Sequence, residues 1–207
     1  PPFASTGEPA GTFSCSLSTG PDAFAPCTSP STYPAQPAGA YTFKVRQTDV
    51  AGNPGAVTSR SLTIDLTPPA AAALGATPPA LTNDTMPTFA FTGEPGATFQ
   101  CSVSNVTDAP EPCTSPYTRV PELTPDGSWT FKVWQTDEAG NEQVAAPASF
   151  TFTLDSLPPA LPTFATLPPL VTNDTTPTFA FTGEPGATFE CSLLGGFAAC
   201  ASPLTVG

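Results

Sequence analysis

The sequence contains no histidine, and only five of its 207 residues are basic. Without histidine, neither a Ser-His-Asp nor a Cys-His catalytic set can be built. Charged residues make up only 11% of the chain. No apolar run approaches the ~20 residues that a membrane-spanning helix needs. These absences lead us to expect a protein that is not an enzyme and that does not insert this segment into a membrane.

The charge balance is strongly acidic, with 17 carboxylates and a formal net charge of −12. A nucleic-acid-binding surface needs clustered Lys and Arg to offset phosphate charge, and this chain has too few basic residues to provide one. The same shortage disfavours an anionic membrane surface as a partner. We therefore expect no nucleic acid among its partners.

Short segments alternate apolar and polar residues with a period of two, which is typical of half-buried strands. The longest are YTFKVRQTD, from Tyr41, and WTFKVWQTD, from Trp129. The 29 prolines would interrupt helices. The sequence therefore predicts an all-β protein of antiparallel strands. The apolar residues expected to face the core are Tyr41, Phe43, Val45, Leu62, Ile64, Phe89, Phe91, Phe99, Cys101, Val103, Trp129, Phe131, Val133, Phe150, Phe152 and Leu154.

One motif occurs three times and organises the chain. It reads ASTGEPAGTFSCSL from Ala4, FTGEPGATFQCSV from Phe91 and FTGEPGATFECSL from Phe181. The copies are about 90 residues apart, which is the size of a small β-sandwich. We expect three repeats joined by proline-rich linkers, with the limits 1–66, 67–156 and 157–207.

The centre of the motif predicts a reverse turn between two strands. Pro95 sets the φ angle of the second turn residue, and Gly96 accepts the positive φ that a type II turn needs next. In the first copy the order Pro9-Ala10-Gly11 moves the glycine by one place. A type I turn is expected there, after an opening strand at Phe3–Ser5.

The third copy contains only the first half of a repeat. The segment ending at Gly207 has no equivalent of the WTFKVWQTD strand or of the closing strand ASFTFTLD. A half sandwich would leave Phe179, Phe181 and Phe189 uncovered. We expect the chain to continue into further repeats; the alternative is that strands from another chain complete the domain.

The six cysteines form one pair in each repeat: Cys15 with Cys27, Cys101 with Cys113, and Cys191 with Cys200. With no histidine and no C-x-x-C spacing, the pairs lack the ligands of a zinc site. A disulfide within each repeat is the favoured interpretation, and pairing between chains is the alternative. Stable disulfides indicate an oxidising compartment.

The series TNDTTPTFAFTGEPGATFECSL, CTSPYT, WTFKVxQTDxAGN and TFTLD followed by a Pro-Pro linker resembles bacterial immunoglobulin-like (Ig-like) repeats. Such repeats occur in tandem in large secreted and surface-attached proteins, and the resemblance covers essentially the whole chain. It implies tandem seven-stranded Ig-like β-sandwiches. The cysteine pairs depart from the sandwich-spanning pair of antibody domains, so the antibody-type core is not expected.

Some repeats with TDxAGN turns hold calcium between neighbouring domains. The resemblance therefore implies calcium binding as one possible role of the aspartates in this chain. Oxygen ligands suit this ion. The sequence lacks the dense D-x-D-x-D spacing of strong calcium sites, so the favoured interpretation is that each aspartate binds amides of its own turn. We expect no cofactor. The aspartates concerned are Asp49, Asp65, Asp84, Asp137, Asp155 and Asp174.

Two further features of the sequence indicate possible functional sites on the surface of the protein. Trp134 stands where the first repeat has Arg46 and is predicted to be exposed beside Lys132, either as a contact residue or covered by a neighbouring side chain. Three N-x-T triplets fit the glycosylation pattern, although a bacterial source disfavours the modification. They begin at Asn83, Asn105 and Asn173.

The resemblance implies an extracellular structural protein of a bacterial cell surface, a stalk or filament segment that gives mechanical reach. Its partners would be neighbouring copies of the repeat, in the same chain or in other chains of a homopolymeric fibre. The alternatives are an adhesin arm or a carbohydrate-binding or other ligand-binding module, and the accessory domains of a secreted enzyme.

Overall fold

The computed structural model describes residues 11–193 and 195–207. These residues form 18 β-strands and no helix, which confirms the predicted all-β class. The chain divides into two compact units, the first ending at Leu154 and the second spanning Asp155–Gly207. The repeat limits 1–66, 67–156 and 157–207 stay predictions.

Repeat 1 contributes a four-stranded antiparallel sheet with the order β2-β1-β3-β4. Tyr41 and Phe43 on its longest strand are buried together with Cys15, as the alternation predicts. The predicted strand at Phe3–Ser5 lies outside the described residues, as does most of the predicted turn at Pro9-Ala10-Gly11. The strands are β1 (Thr12–Ser18), β2 (Ala25–Cys27), β3 (Gly39–Thr48) and β4 (Thr58–Ile64).

Repeat 2 is a two-layered sandwich. Its strands are β5 (Ala73–Leu74), β6 (Leu81–Thr82), β7 (Thr88–Phe89), β8 (Phe91–Thr92), β9 (Thr98–Ser104), β10 (Glu111–Cys113), β11 (Tyr117–Thr118), β12 (Gly127–Thr136) and β13 (Ala148–Leu154). One layer is a five-stranded sheet with the order β10-β9-β12-β13-β6. The pairs β5-β8 and β7-β11 form the other. All of these pairings are antiparallel except β13-β6, which is parallel.

The core of repeat 2 lies between these layers. Phe89 packs against Phe131 and Phe152 from the larger sheet, and all three are at most 1% exposed. Burying one such ring stabilises the fold by about 1.5–3 kcal/mol. The inward positions predicted for Trp129, Phe131 and Val133 are thereby confirmed.

The repeated motif carries the chain from one layer to the other. Gly96 has φ +79° and Ala97 N donates to Glu94 O at 3.1 Å, which confirms the predicted type II turn. The strands on either side do not pair with each other, since β8 pairs with β5 and β9 pairs with β12 and β10. The motif is thus a corner between two sheets.

The proline pairs Pro68-Pro69 and Pro78-Pro79 lie outside strands. The residues between these pairs belong to the sandwich, because Ala73–Leu74 pairs with β8 and Ala72 is buried in the core. The chain after Ile64 is therefore packed into repeat 2 by residues 72–74.

The second unit has strands β14 (Thr163–Thr166), β15 (Thr178–Thr182), β16 (Phe189–Cys191), β17 (Ala198–Cys200) and β18 (Leu204–Thr205). They form two sheets, β14-β15-β18 and β16-β17. The turn of the motif recurs here, with Gly186 at φ +86° and Ala187 N donating to Glu184 O. Phe181 is buried, whereas Phe164 and Phe197 are 65% and 75% exposed.

Candidate functional site

The two TDxAGN turns have the same internal hydrogen bonds. Asp49 Oδ1 accepts from Asn53 N at 2.8 Å, and Asp49 Oδ2 accepts from Asn53 Nδ2 at 2.9 Å. Asp137 and Asn141 form the equivalent bonds, both at 2.8 Å. The asparagine side-chain bond is the main cause that lowers the pKa of each aspartate below its ordinary value. Both carboxylates are therefore engaged in local bonding.

The other four candidate calcium ligands also accept bonds from nearby amides. Each uses its Oδ1 atom to bind the backbone N–H two residues later. In residues 11–193 and 195–207, no three His, Cys, Asp or Glu side chains lie close enough together to hold one metal ion. The structure thus places these aspartates in turns of their own: Asp65 with Thr67, Asp84 with Met86, Asp155 with Leu157, and Asp174 with Thr176.

All six cysteines are paired within their repeats, and each pair joins two neighbouring antiparallel strands. The Cα atoms of each pair are 5.8 Å apart. The disulfides fasten a three-residue strand at the edge of its sheet in each repeat. They join Cys15 to Cys27, Cys101 to Cys113, and Cys191 to Cys200.

Trp134 is half-buried, so it is less exposed than its place on the outer face predicts, and its role as a contact residue stays a prediction. It lies on β12 opposite Gln100 of β9. Its neighbour Lys132 binds Asp108, with Nζ 2.5 Å from Oδ2. The equivalent pair in repeat 1 is Lys44–Asp22, so this ion pair is a shared feature of the two repeats.

The three N-x-T asparagines are exposed and lie outside strands. The structure therefore leaves Asn83, Asn105 and Asn173 accessible to a modifying enzyme. Glycosylation of these residues stays a hypothesis.

Buried serines form another shared feature, which the alternation of apolar and polar residues does not predict. Ser16 and Ser102 follow the first cysteine of their repeats and are only 2% and 3% exposed. Each hydroxyl oxygen accepts a backbone bond from the loop after the strand, from Ala23 N and Ala109 N respectively. The signal was present in the sequence, since the motif repeats Cys-Ser in all three copies.

The junction between repeats 1 and 2 is a second feature that local sequence patterns do not predict. Gln135, on β12, is 3% exposed, although its side chain is polar. Its Nε2 atom donates to Ala70 O at 2.6 Å, and its Oε1 atom accepts from Glu94 N at 3.0 Å. Asn141 Nδ2 donates to Asp65 O at 3.1 Å. Main-chain atoms of the linker are thus bound by side chains of the following repeat.

The second unit contains an apolar groove with a volume of about 300 Å³. Phe179, Phe181 and Phe189 line it, and they are the residues that a half sandwich is expected to leave uncovered. In repeat 2 the equivalent rings, Phe89, Phe91 and Phe99, pack in the core. Further apolar residues of its lining are Pro162, Phe164, Leu193, Leu204 and Val206.

Within the described residues there is no helix of the length and apolarity that crossing a bilayer requires.

The middle of the chain matches a known protein family. Residues 75–156 match the family described as bacterial Ig-like domain, which confirms the resemblance for that segment. No curated protein sequence matches this chain.

Two solved structures are similar to the chain at low sequence identity. One is a tetra-tandem repeat in the extending region of a large adhesion protein, at 17% identity and a TM-score of 0.38, covering 97% of this chain and 56% of the other. The second is the BSP domain of a biofilm associated protein, at 18% identity and a TM-score of 0.30, covering 73% and 26%. This chain therefore spans about half the length of the first structure and a quarter of the second.

Proposed function

Because residues 75–156 are a bacterial Ig-like domain, we propose that this chain is a segment of an extracellular stalk that gives mechanical reach at a bacterial cell surface. Its partners are the neighbouring repeats of the same chain. The repeats serve as spacers, and they carry no catalytic site of their own.

The main support for this proposal is that repeats 1 and 2 have the same arrangement of strands. β1 pairs with β3 as β9 pairs with β12, and the disulfide joins equivalent strands in both. The long strands β3 and β12 have 10 residues each, so one repeat supplies about 33 Å of length at ~3.3 Å per residue. A series of such units is suited to spanning distance.

The disulfides support an extracellular location. One disulfide in each repeat is typical of proteins that fold in an oxidising environment. The cross-links also restrict the unfolded chain, which stabilises repeats exposed outside the cell.

Display of the whole chain on a bacterial surface tests the proposal. The chain is placed between a membrane anchor and a fluorescent reporter, and the height of the reporter above the membrane is measured. A matched control carries only the anchor and the reporter. We expect a greater height with the chain and a further increase when the chain is present twice in series.

Equal heights in the three cases would contradict the proposal. Saturable binding of the isolated chain to glycans or to another cell, together with equal heights, would favour the adhesin alternative. Self-association of the isolated chain into filaments would instead support a fibre of many chains.

A further inference from the structure

The linker between repeats 1 and 2 is bound by repeat 2 almost from its first residue. Strand β4 of repeat 1 ends at Ile64, and the carbonyl of the next residue, Asp65, already accepts a bond from Asn141 of repeat 2. Asp65 Oδ1 also accepts from Thr67 N, which fixes the first bend of the linker. A connection of this kind leaves few torsion angles through which the two repeats can reorient.

The linker is held again at Ala70. Its carbonyl accepts the 2.6 Å bond from Gln135 Nε2, and its N–H donates to Glu94 Oε1 at 3.3 Å. The contact with Glu94 is exposed and long, whereas the contact with Gln135 is partly buried and short. Gln135 therefore makes the stronger of the two contacts.

The Gln135 side chain is positioned for this contact by the repeated motif. Its Oε1 atom accepts from Glu94 N, which orients the amide so that Nε2 points to the linker. Gly93 provides the space, because a Cβ atom there would collide with Gln135 and with the ring of Phe99. If the linker moved away from repeat 2, the nearly buried Gln135 Nε2–H would lose its acceptor. The loss of this hydrogen bond disfavours separation of the linker from repeat 2.

We propose that Glu94, Gln135 and Asn141 form a linker-binding surface that fixes repeat 1 on repeat 2 without a metal ion. The inference rests on the proposed function, since a stalk with stiff joints holds its end farther from the cell than a stalk of the same length with flexible joints. The ligand of this surface is an extended segment with the pattern Asp-x-x-Pro-Pro-Ala, recognised through its main-chain carbonyls at the first and sixth positions.

Two features of the sequence fit this ligand. The pattern occurs at both ends of repeat 2, as DLTPPA from Asp65 and DSLPPA from Asp155. Recognition of main-chain atoms tolerates the different side chains at the x positions. The paired prolines hold the segment extended before it binds, which lowers the entropy that binding costs.

Gln135→Met is the principal test, because it keeps the length of the side chain and removes both hydrogen bonds. Residual dipolar couplings are measured by NMR on the whole chain. In the unaltered protein, couplings from residues 11–64 and 65–154 should fit one common alignment tensor. In the variant they should require two different tensors, while the couplings within repeat 2 still fit its own structure. Gln100→Met, at an exposed position on β9, is the control and should keep the common tensor.

A matched pair of asparagine variants keeps the test decisive if Gln135→Met does not fold. Asn53→Ala and Asn141→Ala each remove the same turn bond to an aspartate, but only Asn141 also binds the linker at Asp65. We expect loss of the common tensor in Asn141→Ala alone.

A common tensor that persists in both Gln135→Met and Asn141→Ala would overturn the inference, as would two tensors in the unaltered protein. Reporter height at the cell surface is a separate readout from these couplings. A flexible joint together with full reporter height would contradict the proposed linker-binding surface and leave the proposed function intact.

Discussion

The ring of Phe89 in one layer of repeat 2 stacks on the ring of Phe131 in the other, with centroids 4.2 Å apart and planes within 5° of parallel. Neither side chain has any exposed surface. The alternation of apolar and polar residues predicts both segments as strands with inward phenylalanines. Their contact joins the layers at the centre of the sandwich.

Phe131→Ala should therefore destabilise repeat 2 strongly. Removal of a fully buried aromatic ring leaves a cavity and costs about 3–5 kcal/mol of unfolding free energy. Urea unfolding followed by fluorescence of the tryptophans measures the change. Phe164→Ala is the control, because this ring is 65% exposed, and it should change stability by at most about 0.5 kcal/mol. Equal effects of the two substitutions would refute the assignment of the core.

The disulfides are predicted to form within repeats in the native protein. Peptide mapping without reduction should recover Cys101 linked to Cys113 and the two equivalent pairs. Reduction should lower the stability of repeat 2 by roughly 3 kcal/mol, because the bond closes a loop of about a dozen residues. Free thiols on most molecules, or a link from Cys101 to Cys191, would show that this pairing is wrong.

The stiffness of the chain is predicted not to depend on calcium. The candidate aspartates already accept bonds from their own turns, and the joint between repeats 1 and 2 is held by amide side chains. Small-angle scattering with calcium and with a chelator should give the same maximum dimension. A marked decrease after chelation would assign ligand roles to aspartates, first to Asp65, Asp84, Asp137 and Asp155.

Acid should weaken the fold through Asp108 and the two turn aspartates. The bond from Lys132 is the main cause that holds the pKa of Asp108 below its ordinary value, and Asn53 and Asn141 act likewise on Asp49 and Asp137. A carboxyl with a lowered folded-state pKa stabilises the fold above its unfolded pKa of about 4, and this contribution is lost as pH falls through the folded value.

Urea midpoints at pH 7 and pH 2.5 measure this effect. Relief of the repulsion within a chain of net charge −12 opposes it, so the comparison with Asp108→Asn is decisive. The variant should be less stable than the unaltered protein at pH 7 and should lose less stability on acidification. An equal acid-induced loss in both proteins would contradict the role of Asp108.

Much of the fold was predictable because it depends on local signals. The alternation around Phe131 determines which face of β12 is buried, and Pro95-Gly96 determines the type II turn. The cysteine pairs were predictable because each repeat contains one. These features need only a few neighbouring residues to be recognised.

The junction was not predictable in the same way. Gln135 continues the inward face of β12, but its acceptor, Ala70, lies 65 residues away in sequence, and nothing local indicates that a linker covers it. Trp134 is a similar case, because alternation places it on the outer face of the sheet and does not encode how far other groups cover that face. Burial on the outer side of a sheet depends on loops whose positions alternation does not encode.

The repeated, disulfide-bonded domain is the basis of the proposed stalk, and single-molecule pulling of the whole chain tests it most directly. We predict that repeat 2 resists force and unfolds in a single step. The Cys101–Cys113 bond spans a sequence separation of 12, so a reducing agent should lengthen that step by about 40 Å at ~3.5 Å per extended residue. Extension without a discrete step, or a step of unchanged length after reduction, would contradict the account.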